Sequence, residues 1–130
     1  MESGRILSKQ NTGIHLSEQV RSLVVSALEN FKAENINIVD VRGQNPLTDA
    51  MVIASGRSTR HVKSMAENLI FTAKQAGFPP LGVEGEKQGD WVLVDLNDVV
   101  VHLMLPKVRA FYNLEKLWSV SEEHRASANS

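Results

Sequence analysis

The sequence predicts a single mixed α/β domain built on a five-stranded sheet with flanking helices. Three observations lead there. Two segments carry apolar residues at helical spacing, and short Val- and Ile-rich runs between and after them read as strands. The resulting order, helix–strand–strand–helix–strand–strand–strand–helix, suits a mixed sheet with helices packed on it. A length of 130 residues, 42% of them hydrophobic, fits one domain with one core.

Residues 1–16 are polar and aperiodic and read as a flexible N-terminal arm. Ser17 then caps a helix whose stripe is Val20, Leu23, Val24, Ala27, Leu28 and Phe31, with Asn35 suited to its end. Asn37–Val41 is a short strand, and Gly43-Gln44-Asn45-Pro46 breaks the chain. Met51–Ser55 is apolar without alternation, as in a strand buried on both faces. Gly56-Arg57-Ser58 turns into a second helix, with Ser58 or Thr59 as N-cap. Its stripe is Val62, Met65, Ala66, Leu69, Ile70 and Ala73, and Gly77 ends it. Leu81–Glu84 is a third strand, followed by a loop over Gly85–Gly89 and a hairpin over Asp90–Met104. Pro106 ends the hairpin and starts a short helix, after which Phe111, Leu114, Leu117 and Trp118 recur at helical spacing, Trp118 as a core residue. Residues 17–119 thus form one domain without internal repeats, and residues 120–130 a disordered polar tail.

The hairpin DWVLVDLNDVVVHLM can be read by parity, because directly opposed residues of an antiparallel pair point to one face. With Leu96-Asn97 as the turn, Asp95 faces Asp98, Val94 faces Val99 and Trp91 faces His102. One face is then wholly aliphatic: Val92, Val94, Val99, Val101 and Leu103. The other carries Trp91, Leu93, Asp95, Asp98, Val100, His102 and Met104, too apolar for a solvent face and too charged for a core. Either the C-terminal helix, with Phe111, Tyr112 and Trp118, folds back over this face, or the face docks another protein.

The remaining chemistry-bearing residues are less specific. Gly56-Arg57-Ser58-Thr59 stands where a helix N-terminus can hold phosphate, but lacks a full glycine-rich pattern and reads first as a turn and cap. Asp95 and Asp98 could form a carboxylate pair, yet two-metal nucleotidyl-transfer sites use D-x-D on one strand, and here the spacing is D-x-x-D across a turn. The four histidines lack metal-ligand spacing, and no nucleophile elbow is present. Glu84-Gly85-Glu86 is a solvated loop by default and a contact loop if the neighbouring hairpin docks a partner. With no cysteine, thiol catalysis and disulfides are excluded. No run spans a bilayer and no secretory leader is apparent, so a cytoplasmic protein is expected. Charge is balanced, 14 Lys+Arg against 15 Asp+Glu, which favours a protein partner over RNA as main ligand. Metal, cofactor and catalytic residues are therefore expected to be absent; the alternative is a nucleotidyltransferase-like nucleotide-binding enzyme using Gly56-Arg57-Ser58 and Asp95.

LTDAMVIASGRSTRHV (Leu47–Val62), PLGVEGE (Pro80–Glu86), DWVLVDLNDVVVHLM (Asp90–Met104) and YNLEKLWS (Tyr112–Ser119) occur in this order. Together they resemble the ribosomal silencing factor (RsfS/Iojap) family. The one departure is Asn97, where the family usually has glycine; Asn is the next-best residue for a left-handed turn. The resemblance implies a fold similar to nucleotidyltransferases without their catalytic acids. It also implies binding to the large ribosomal subunit through large-subunit ribosomal protein fourteen. That binding would block joining of the small subunit, repress translation and, in some lineages, serve large-subunit biogenesis. A homodimer would also be in keeping with it. Joined to the parity reading, it nominates Trp91, Leu93, Asp95, His102 and Met104 as contacts, Trp91 as anchor, Glu84 and Glu86 as acidic contacts, and Tyr112 and Glu115 as the rim.

Overall fold

The computed structural model describes residues 2–44 and 46–116. Its elements are α1 (Glu2–Asn30), β1 (Glu34–Asp40), β2 (Ala50–Ser55), α2 (Thr59–Gln75), β3 (Gly82–Glu84), β4 (Trp91–Asp95), β5 (Val99–Met104) and α3 (Pro106–Tyr112). The five strands form one sheet in the order β1-β2-β5-β4-β3. Only the central β2–β5 pair is parallel, so the sheet is mixed.

One face of this sheet is the core floor. Val52 and Ala54 of β2, Val92 and Val94 of β4, and Val99, Val101 and Leu103 of β5 pack against α1 and α2. The helices contribute most of the stripes expected from their periodicity, Val20, Val24, Ala27 and Leu28 from α1 and Val62, Met65, Ala66, Leu69 and Ala73 from α2, whereas Phe31, expected in the α1 stripe, falls beyond its end and is exposed. β2 is closed on its other face as well, with Ile53 and Ser55 both buried, which explains its lack of alternation.

Local signals set the ends of α2. Ser58 is the N-cap, its side chain accepting from the His61 amide. At the C-terminus Gly77 adopts φ +88°, with Phe78 N–H bonded to the Ala73 carbonyl and Gly77 N–H to that of Lys74, a Schellman motif.

Several boundaries and one register differ from the sequence reading, β1 among them, which starts at Glu34 and not Asn37. α1 begins at Glu2, not at Ser17, because no proline upstream stops a helix; Gly4 and Gly13 cost it only about 1 kcal/mol each. Its end comes at Asn30, where Lys32 takes the left-handed conformation (φ 62°). Asn35 (φ 51°) is instead the irregular residue of β1, whose register slips between Glu34 and Asn37. The β4–β5 register also differs: Asp95 faces Val100, Leu93 faces His102 and Trp91 faces Met104. The turn is Asn97-Asp98, with Asn97 at φ 74° and Asp98 N–H bonded to the Leu96 carbonyl. A two-residue displacement keeps every side chain on its face. Val92, Val94, Val99, Val101 and Leu103 therefore remain the core set, each fully buried. The expected tail over 120–130, and Leu117 and Trp118, lie outside the described residues.

Candidate docking face

Among the described residues, the opposite face of the sheet is covered only in part. α3 leaves the end of β5 with Pro106 in its first turn, and Asn113 in the left-handed conformation turns the chain back. That reversal delivers Glu115 to Arg109. Arg109 Nε donates to Oε1 at 2.8 Å and Nη2 to Oε2 at 3.0 Å, a bidentate pair. Arg109 Nη1 also donates to Ser55 Oγ at 3.0 Å, and Asn37 Nδ2 donates to Glu115 Oε2 at 2.6 Å. One carboxylate thus ties α3 to β1, and its guanidinium partner ties α3 to β2. The guanidinium beside Glu115, helped by Asn37, holds its carboxyl below the usual range.

Strapped there, α3 sets Tyr112 against Trp91 with ring centroids 4.9 Å apart at 51°, and Phe111 edge-on to Tyr112 at 5.0 Å. On its other side Trp91 meets His102: Nε1–H donates to Nδ1 at 3.0 Å, with ring centroids 5.8 Å apart. Burial pushes the His102 pKa down to about 4, so the imidazole is neutral and its Nδ1 is free to accept. Between this aromatic row and the β3–β4 connection lies an open groove of about 720 Å³, lined by Glu84, Gly85, Gln88, Asp90, Trp91, Leu93, Lys107, Val108, Phe111 and Tyr112. Gly85 is obligatory to its wall: φ is +86°, and a Cβ there would stand 2.0 Å from the Trp91 carbonyl oxygen.

Of the nominated residues, Trp91, Leu93, Glu84 and Tyr112 come together on this groove. Glu86 is exposed in the neighbouring loop. Asp95 is half-buried at the far end of β4, where its Oδ1 accepts from the Asn97 amide at 2.9 Å and closes the hairpin turn. Two nominations are corrected as surface contacts. Met104 is 0% exposed and His102 only 7%; both lie on the central strand β5, flanked by β2 and β4, and the Trp91 indole is hydrogen-bonded to His102. Glu115 is half-buried, engaged by Arg109 and Asn37 within the chain, and stands outside the groove lining. Conversely, Lys107, Val108 and Phe111 line the groove without having been nominated. Their i, i+1, i+4 spacing after Pro106 puts them on one helical face, and that was the available signal.

The other candidate chemistry resolves locally. Arg57 N–H donates to His61 Nδ1 at 2.9 Å and His61 N–H to Ser58 Oγ at 3.1 Å, so these helix-start amides are already paired. His61 Nε2 reaches the Phe31 carbonyl at 2.7 Å and joins the start of α2 to the end of α1. Asp95 and Asp98 do not face each other; Asp98 neighbours Asp49, and burial together with that charge raises its pKa. Among the described residues no group of three or more His, Cys, Asp or Glu is placed to hold a metal ion, and no helix is long and apolar enough to cross a membrane.

A family model described as ribosomal silencing factor during starvation matches residues 15–130. The ribosomal silencing factor of Haemophilus influenzae is 44% identical over 96 residues, 74% of this chain and 94% of that one. A mouse protein named for mitochondrial assembly of the ribosomal large subunit is 39% identical over 101 residues, 75% of this chain but 44% of the relative. A crystal structure from Chromobacterium violaceum superposes with a TM-score of 0.77 at 41% identity, covering 78% of this chain and 85% of that one. With the match spanning the whole sheet, both faces and the groove, the chain belongs to the ribosomal silencing factor family.

Proposed function

We infer that this protein represses translation by docking on the large ribosomal subunit, through large-subunit ribosomal protein fourteen, and occupying the space the small subunit needs. The observation that carries this reading is the groove. It is apolar, centred on a tryptophan that is neither sealed in the core nor loose, and left open by the chain's own helix. Aromatic residues held in such positions dominate protein interfaces. Glu84, Glu86 and Asp90 around it suit a basic ribosomal surface. A steric mechanism asks no chemistry of these acids, only that a folded body stand in the way. A part in large-subunit biogenesis belongs to the same reading, since the mouse relative is named for it.

Co-sedimentation with separated subunits, followed by a subunit-joining assay, tests it. The protein should pellet with large subunits alone and inhibit joining in proportion to occupancy. Pelleting with small subunits, or undiminished joining at saturation, overturns the reading. Trp91→Ala should weaken binding to the isolated ribosomal protein by about 2 kcal/mol or more, with the far-UV spectrum unchanged.

A further inference from the structure

We propose that His102 is a positioning residue: buried beneath the docking face, it fixes the Trp91 indole in the orientation that forms the groove. This rests on the docking reading of that face. Trp91 stands on β4 and His102 on the neighbouring β5, but they are not directly opposed. His102 faces Leu93, and Trp91 faces Met104, so the indole must lie diagonally across the pair to reach the imidazole. The hydrogen bond from Nε1 to Nδ1 at 3.0 Å is what selects that direction. An indole N–H is a donor only, and Nδ1 can accept only while it carries no proton, so the pair has a single polarity. The alternative direction for the ring would give up this partner.

The three rings act in series. His102 holds one end of the indole and Tyr112 packs on it at 4.9 Å, so Trp91 is restrained from the sheet and from α3 at once. His102 is 7% exposed and has almost no surface to offer a partner. Its effect on binding must therefore pass through Trp91. Fixing a large side chain before association removes an ordering cost that binding would otherwise carry.

The test uses the full chain labelled with ¹⁵N, the Trp91 indole signal being identified by its loss in Trp91→Phe. His102→Leu removes the acceptor, whereas His102→Gln returns an acceptor oxygen to the site. In His102→Leu the indole N–H signal should move upfield, its exchange with water should quicken, and Trp91–Tyr112 cross-peaks should weaken, while core amide signals stay in place. His102→Gln should restore most of the indole signature. Large-subunit affinity should fall about tenfold in His102→Leu and recover in His102→Gln. An unchanged indole signal and unchanged Trp91–Tyr112 cross-peaks in His102→Leu overturn the proposal. So does a loss of core signals in His102→Leu that His102→Gln repairs without restoring the indole signature. If the indole is released yet affinity is unchanged, the positioning of Trp91 stands, and the docking reading of the groove is what fails.

Discussion

A neutral, buried imidazole makes His102 a liability in acid. Burial lowers its pKa from 6.5 to about 4, so in the folded state it resists a proton that the unfolded chain accepts readily. Above pH 6.5 both states are neutral and nothing is lost. As pH falls from there toward 4, the unfolded state binds the extra proton and stability declines. The gap between the two values corresponds to roughly 3 kcal/mol by the end of that window. Glu115 acts in the same direction lower on the scale, because its depressed carboxyl stabilises the fold only while ionised. Asp98, whose pKa is raised by burial and by Asp49, opposes both by favouring the folded state when protonated. Urea titrations at pH 7 and pH 4.5 should therefore show a clear loss of stability in the wild-type chain. His102→Gln should flatten the part between pH 6.5 and 4.5. A wild-type midpoint independent of pH over that range would show that the imidazole is not held neutral.

At the scale of elements, α3 is a seven-residue helix with no fully buried side chain, so it cannot hold its place by apolar packing alone. The Arg109–Glu115 pair supplies the missing attachment, with side-chain exposures of only 14% and 27%. Glu115→Ala would leave the guanidinium with Ser55 as its remaining side-chain partner and should cost about 1–3 kcal/mol. Arg109→Ala should cost a similar amount, and the double substitution clearly less than the sum, because each single change strands the other group. Additive losses in thermal melts would show that the pair is not coupled. None of this strap was legible in the sequence, since Asn37, Ser55, Arg109 and Glu115 are brought together only by the tertiary fold. The hairpin was legible, and for a definite reason. Its two faces differ so sharply in polarity that the face assignment survives a misplaced turn, and only the cross-strand neighbours change. The pairing of Trp91 with His102 emerged from either register, directly opposed in one and diagonal in the other. The start of α1 was not legible, because helix propensity continues through residues that show no amphipathic signal.

For the whole molecule, the two faces of the sheet divide the work. α1 and α2 bury one face and stabilise the domain, and the groove that the docking reading uses lies on the other. Charge is partitioned to match. The chain is near neutral overall at −1, and the groove itself holds two acids, Glu84 and Asp90, against one base, Lys107. A surface of that kind cannot draw much affinity from phosphates. A protein neutralising six phosphates would show log K falling with log[salt] at a slope of about −5, from roughly 0.9 ion released per contact. An interface made mainly with a ribosomal protein, with a few acidic contacts at its rim, should give a slope shallower than about −2. Measuring large-subunit binding from 50 to 300 mM salt at constant magnesium decides between them. A steep slope would move the contact from protein to ribosomal RNA, and the basic residues outside the groove, such as Arg57, Arg60 and Lys63 at the start of α2, would then become the surface to mutate.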